Sequence, residues 1–302
     1  MSLPPLSELV NVLEVEDAAR GVLSRAVYDR IAQGERGREA FDRITFRPRM
    51  LVDVSRLDLS LDLFGQKLYA PILVAPMARH RRVHPDGEAA TAPGAAAAKT
   101  VLVVSRDPSV PFDQIAARAS APLWAQVRPD TAAASRLVAA GAKVLVVNAG
   151  PDLDWDTLGR LRKAAGSVPV LLKGVLSPDQ AINAIERGAQ GLIVSSHGGK
   201  LVPSLPATLD VLPRIAEAVK DRVPVLVDGG FRRGTDILKA LALGAKAVLV
   251  GRPVLYGLAA YGPDGVRAVL EMLQSELALA LGLNGRPNLA AVDRAVVKIH
   301  RR

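Results

Sequence analysis

An α/β fold, a (β/α)8 TIM barrel carrying an N-terminal extension of helices and irregular chain, is predicted by three features. Eight short apolar runs recur with helix-length intervals between them. Three of these runs are entered through one repeated, glycine-marked design, and the last two end in glycine and arginine. Parallel strands need a crossover of a dozen or more residues between them, and eight such units suffice to close a barrel.

The runs are Pro71–Ala75, Val101–Ser105, Pro122–Gln126, Lys143–Asn148, Val168–Lys173, Gly191–Ser195, Val223–Asp228 and Lys246–Gly251. Their starts lie about 20 to 32 residues apart, room for one helix each. The repeat is Ala140-Gly-Ala-Lys-Val-Leu-Val-Val147, Arg187-Gly-Ala-Gln-Gly-Leu-Ile-Val194 and Leu243-Gly-Ala-Lys-Ala-Val-Leu-Val250. In each, glycine is placed to cap a helix in the left-handed conformation, and a strand begins at once. Ser177-Pro178 opens one intervening helix with an N-cap hydroxyl and proline at the first helical position. The first 70 residues are expected to pack on the barrel and plug its N-terminal mouth.

The 302 residues suit one domain of this class, and no linker or low-complexity segment divides residues 1–302. Hydrophobic residues make up 49% and aromatics only 4%, so the core is built from Ala, Val, Leu and Ile. No cysteine is present, which excludes disulfides, thiolate metal sites and cysteine nucleophiles. His80 and His84 lack the further ligands a metal needs, so no metal is expected. Met1-Ser-Leu-Pro-Pro-Leu-Ser-Glu8 does not read as a leader, and no apolar run reaches membrane-spanning length, so a cytoplasmic protein with no membrane partner is expected. The net charge of +9 raises nucleic acid as a partner, but the basic residues are scattered among acids without a nucleic-acid motif. A basic surface around an anion-binding mouth fits better.

Chemistry in this fold collects where the strands end. Those exits carry Met77, Ser105, Gln126, Asn148, Lys173, His197, Asp228 and Arg252, with Arg232 just beyond the seventh strand. Single members have plainer readings: a structural histidine at 197, a Lys173–Asp228 pair, polar core amides at 126 and 148, surface charges at 232 and 252. As a set at the ends of apolar runs they need polar partners, which a planar heteroaromatic cofactor with a phosphate tail supplies. Val223-Pro-Val-Leu-Val-Asp-Gly-Gly-Phe-Arg-Arg-Gly-Thr-Asp236 and Leu243–Pro253 bring Gly230, Arg232, Gly251 and Arg252 to the phosphate position after strands seven and eight.

The chain resembles the FMN-dependent α-hydroxy-acid oxidases and dehydrogenases, the family of glycolate oxidase, lactate oxidase and flavocytochrome b2. The resemblance rests on Phe41-Asp-Arg-Ile-Thr-Phe-Arg-Pro-Arg-Met-Leu-Val-Asp-Val-Ser55, Pro71-Ile-Leu-Val-Ala-Pro-Met-Ala78, His84-Pro-Asp-Gly-Glu88, Leu172-Lys-Gly-Val175, Val194-Ser-Ser-His-Gly-Gly199, Pro206-Ala-Thr208, Asp228–Asp236 and Gly251-Arg-Pro253. It implies FMN as cofactor, with Ala75, Pro76, Met77 and Ala78 against the flavin ring and Ser105, Gln126 and Asn148 at its polar edge. Lys173 is implied near the N1 and O2 edge and Asp228 in the cofactor shell, while Gly230, Arg232, Gly251 and Arg252 hold the phosphate. His197 is implied as the base that removes a substrate proton as hydride leaves for the flavin. A homotetramer is implied as well.

Departures from the family pattern shape the expected substrate. Lys200 stands where the family has a carboxylate-clamping arginine, a point charge in place of a bidentate fork. Gly150 stands where an aspartate orients the histidine. Two pocket tyrosines are replaced, one by Arg128 and one near Arg30, and the long lid after strand four is absent. Lys200 and Arg128 are therefore the expected substrate-binding pair, for a small-molecule or larger anionic substrate. The loop Arg79-His-Arg-Arg82 is either solvated or a site for an anionic group of that larger substrate.

The expected activity is oxidation of a 2-hydroxy acid, or a related hydroxyl- or amino-bearing anion, by hydride transfer to FMN. An FMN-binding scaffold that has lost oxidase chemistry is the alternative. A flavin-free barrel that binds a phosphorylated substrate is a third reading.

Overall fold

The computed structural model describes residues 3–34, 37–200 and 204–300, so Met1 and Ser2 of the N-terminal reading lie outside the described residues. Eight parallel strands, β1 (Ile72–Val74), β2 (Leu102–Val104), β3 (Leu123–Val127), β4 (Leu145–Asn148), β5 (Val170–Val175), β6 (Gly191–Val194), β7 (Val225–Asp228) and β8 (Ala247–Val250), close in chain order, with β8 pairing back onto β1. This is a TIM barrel, and each strand coincides with one of the eight runs expected from the sequence, Leu123–Val127 and Val170–Val175 running one and two residues past the expected ends.

Side chains alternate across each strand, so a residue two positions on shares the same face. Leu73, Val103, Trp124, Val146, Leu171, Ile193, Leu226 and Leu249 fill the barrel interior. Their neighbours, such as Leu102, Val104, Val147, Leu172 and Val227, belong to a second core under the surrounding helices. Two residues beyond the interior layer stand Ala75, Ser105, Gln126, Asn148, Lys173, Ser195, Asp228 and Gly251. The alternation alone therefore sets these eight in the next layer up, at the C-terminal mouth.

The three repeats do what their glycines predicted. Gly141, Gly188 and Gly244 have φ of 96°, 91° and 102°, the left-handed region that glycine enters at no steric cost. The following alanine in each donates its N–H five residues back, Ala142 to Leu137, Ala189 to Ala184 and Ala245 to Ala240, the six-to-one bond of a Schellman cap. Ser177 Oγ accepts from Gln180 N, capping a helix with Pro178 in its first turn.

The N-terminal extension closes the opposite mouth. A hairpin, Leu61–Leu63 with Gln66–Leu68, turns at Phe64 and Gly65 (φ 54° and 72°) and joins the interior cluster. Phe64 meets Trp124 edge to face with centroids 5.7 Å apart, and Trp124 Nε1 donates to Gln66 Oε1 at 3.0 Å. A Cβ on Gly191, at the start of β6, would come within 2.9 Å of the Phe64 ring, so glycine there admits the plug. Helix Val12–Val22 buries Val12, Val15, Ala18 and Ala19, and the last strand, Val297–Ile299, pairs with Ile44–Phe46. No helix among the described residues is long and apolar enough to cross a membrane.

Candidate active site

The polar layer lines a cavity of about 780 Å³ at the C-terminal mouth, within the range of small-molecule sites. Ala75, Pro76, Met77 and Ala78, Ser105, Gln126, Asn148, Lys173, His197, Lys200, Asp228, Gly230, Arg232, Gly251 and Arg252 all line it. The structure thus brings together every residue singled out from the sequence except Arg128. That guanidinium is exposed and paired with Asp107, a residue that lines the cavity, so Arg128 stands outside the lining itself. Arg30, Arg106 and Asp107 line the cavity in addition.

The floor is a hydrogen-bonded polar web. Lys173 Nζ lies 2.6 Å from Asp228 Oδ2 and donates to Ser195 Oγ at 2.5 Å, linking β5, β6 and β7. Ser195 Oγ also accepts from His197 N at 3.1 Å, so one hydroxyl ties the lysine to the loop that carries the imidazole. Ser195 was not among the residues singled out, although its place two residues after Ile193 was visible in the sequence. Gln126 Nε2 donates to Asn148 Oδ1 at 2.6 Å, and Gln126 Oε1 accepts from Arg106 N, which orients both amides. Thr208 Oγ1 donates to Asp228 O at 2.7 Å, tying the helix start Thr208–Val219 to the end of β7.

His197 is held under backbone strain. Its φ is 53°, and Gly198 and Gly199 follow at 68° and 71°, three consecutive residues in the left-handed region. Such strain costs about 1 kcal/mol or more at a non-glycine residue and persists where the surroundings impose it. The imidazole packs on β5: a Cβ on Gly174 would lie 2.6 Å from His197 Nε2. No carboxylate bonds the ring among the described residues, and burial, then the nearby Lys173 charge, push its pKa down to about 4 against the opposing pull of Asp228. His197 is neutral at physiological pH, as a proton acceptor must be.

The two arginines at the end of the barrel are buttressed from outside. Arg232 is buried with Nε 3.2 Å from Glu16 Oε2, in the N-terminal helix. Arg252 donates to the carbonyls of Ile31, Gln33 and Gly198. A guanidinium has five N–H donors, so such contacts fix its orientation and are compatible with anion binding. Residue 252 also starts the kinked helix Arg252–Leu283, with Pro253 in its first turn and the Val254 and Leu255 N–H groups bonded to Gly251 O.

This donor set fits a flavin nucleotide. One wall is carbon and sulfur from Ala75 to Ala78, the facing floor offers two oriented amides and an ammonium, and the last two strands end in glycines and guanidiniums. Asp228 Oδ1 is buried with no hydrogen-bond partner among the described residues, an acceptor that a ligand N–H or O–H in the cavity would satisfy. No group of three or more His, Cys, Asp and Glu side chains is placed to hold a metal ion among the described residues.

Fold and site together define a TIM-barrel protein whose C-terminal mouth is shaped for a phosphate-bearing planar cofactor. The chain belongs to the FMN-dependent dehydrogenase family, whose model matches residues 19–150 and 131–299; it is an FMN-dependent oxidoreductase, and its cofactor is FMN. A peroxisomal (S)-2-hydroxyacid oxidase of Arabidopsis thaliana is 36% identical over 97% of each chain. Glycolate oxidase 1 of Zea mays is 35% identical, covering 96% of this chain and 95% of its own. The first alignment runs over 357 positions, more than the 302 residues present here, so parts of the relative have no counterpart in this chain. Among solved structures, mandelate oxidase superposes with a TM-score of 0.91 at 34% identity, covering 97% of this chain and 100% of that one.

Proposed function

We propose that residues 1–302 act as one FMN-binding unit that oxidises a 2-hydroxy acid to the 2-oxo acid. The observation that carries the reading is a neutral, strained His197 facing the same cavity as the Lys173–Asp228–Ser195 web. The relatives named as 2-hydroxyacid, glycolate and mandelate oxidases support the substrate class.

In this reading Ala75 to Ala78 pack against the ring system, and Ser105, Gln126 and Asn148 bond its polar edge. Gly230, Arg232, Gly251 and Arg252 hold the phosphate, with Glu16 and three carbonyls keeping the arginines in place. Bound FMN supplies the hydride acceptor. Lys173 places a fixed positive charge where negative charge develops on that acceptor, and Asp228 keeps the ammonium in position. Lys200 attracts the substrate carboxylate from the mouth. His197 takes the proton of the substrate hydroxyl onto an imidazole nitrogen, and its strained backbone keeps the ring from swinging away.

Self-association, a homotetramer by family resemblance, is consistent with exposed apolar side chains such as Met50, Leu51, Leu279 and Leu283. A cytoplasmic location rests on the sequence reading alone, and the Arabidopsis relative is described as peroxisomal. Loading the purified protein with FMN and following oxygen or dye reduction against a panel of 2-hydroxy acids tests the function. Formation of one 2-oxo acid per electron pair is expected; bound FMN with no turnover of any panel member would overturn the assignment.

A further inference from the structure

We propose that the mouth of this cavity contains a second anion subsite, built from Arg30, Arg79 and Arg82 beside Lys200, and that the substrate is a 2-hydroxy acid bearing a second anionic group. The inference rests on the functional reading above and narrows its substrate class.

All four side chains line the cavity that also holds His197 and Lys173. Arg30, Arg79 and Arg82 make no ion pair with a carboxylate among the described residues, whereas Arg106, Arg128, Arg232 and Arg233 each have one. The unpaired cations crowd one another. Burial, then Arg30 and Arg79, lower the Arg82 pKa; burial, then Arg252, Arg82 and Arg30, lower that of Lys200. Like charges gathered without counter-ions repel, and a bound anion relieves that repulsion.

The cluster is also built, which separates it from a solvated basic loop. His80 lies between its arginines and is 1% exposed, with Nδ1 2.7 Å from Thr91 Oγ1. Glu88, equally buried, accepts the N–H groups of His80, Ser109 and Val110. Arg79 is held at φ 59°, with its N–H on Asp107 O at 3.2 Å, and Arg81 N donates to Ser109 Oγ. From the other side, Lys200 Nζ donates to Arg30 O at 3.1 Å, which joins the N-terminal helix to the loop after His197. Three segments distant in sequence are thus fixed around one mouth with their cations unpaired.

The arrangement points to a second anionic group on the substrate. Lys200 is assigned to the substrate carboxylate, and Arg30, Arg79 and Arg82 stand on the same mouth with no carboxylate partner among the described residues.

The test uses FMN-loaded protein and chain-matched ligands. The 2-oxo acids 2-oxoglutarate and 2-oxopentanoate, and the hydroxy acids malate, 2-hydroxy-3-phosphooxypropanoate and 2-hydroxybutyrate, are titrated by perturbation or bleaching of the flavin band and again by calorimetry, which needs no flavin signal. At least one ligand bearing a second anionic group is expected to bind ten-fold or more tightly than the monoanion matched to it, and the better of malate and the phosphate ester identifies the second group as carboxylate or phosphate. In Arg30→Gln and Arg82→Gln the preference should shrink at least five-fold, and it should weaken with salt. Equal binding by the native protein of ligands with and without the second anionic group, or a preference unmoved in both variants, overturns the subsite. Failure to take up FMN is seen separately in the absorption spectrum and counts against the functional reading instead.

Discussion

Lys173 Nζ and Asp228 Oδ2 stand 2.6 Å apart across the barrel mouth, on β5 and β7, with Ser195 of the intervening β6 loop bonded to the same ammonium. Both side chains are buried, so each compensates the desolvation of the other. Removing one partner leaves a charge in a low-dielectric floor. Lys173→Met is therefore expected to lower unfolding free energy by about 3 kcal/mol or more, measurable as a shift of the urea midpoint. It should also lower the reduction potential of bound FMN, because a charge that favours the reduced form is gone.

Gly174 is the tightest packing position behind the imidazole. Its φ of 104° disfavours any L side chain, and an added Cβ would sit 2.6 Å from His197 Nε2. Gly174→Ala should displace the ring and reduce kcat/KM by roughly 100-fold, the penalty of misplacing a reacting group by about 1 Å. FMN content should stay near that of the native protein, since no phosphate-side residue is touched; a variant with native kcat/KM would show that the imidazole position is unimportant.

The neutral imidazole has a pH signature. His197 titrates at about 4 in the folded chain against an ordinary 6.5. Between those values the unfolded chain binds the extra proton, so stability rises with pH through this window and is lost as pH falls from 6.5 towards 4. The acid limb of kcat/KM, which reports the free enzyme, should likewise fall near pH 4. A limb near 6.5 that vanishes in a His197 variant would mean that the ring is as basic as in water.

Beneath the site, Trp124 fills the barrel and is fully buried against Phe64 and Gln66. Trp124→Ala should cost about 3 to 5 kcal/mol through the cavity it leaves, read as a large fall in melting temperature. Its layer lies two residues below Gln126, so FMN affinity measured in the cold should change far less than stability.

Much of this architecture was legible because a period-two strand that passes from apolar to polar at its C-terminal end announces its own exit. Leu171 to Lys173 and Leu226 to Asp228 are such steps, and the glycine-alanine pairs at 141, 188 and 244 mark the helix ends that precede strands. The plug was less legible. Its turn puts Phe64, not asparagine or glycine, at a positive φ, so the hairpin carries no sequence signal of its usual kind. Partners across long separations were hidden as well. Neither Glu16 on Arg232 nor Asp107 on Arg128 follows from spacing, and Arg128 stands outside the cavity lining, while Arg30, close in space to Lys200, is part of it.

The central claim is that His197 drives reduction of bound FMN by a 2-hydroxy acid, and anaerobic mixing tests it most directly. The native protein loaded with FMN should lose its visible flavin band when mixed with a turned-over 2-hydroxy acid, while His197→Ala, equally loaded, should keep it. Bleaching of both at the same rate, or of neither by any 2-hydroxy acid, would contradict the account.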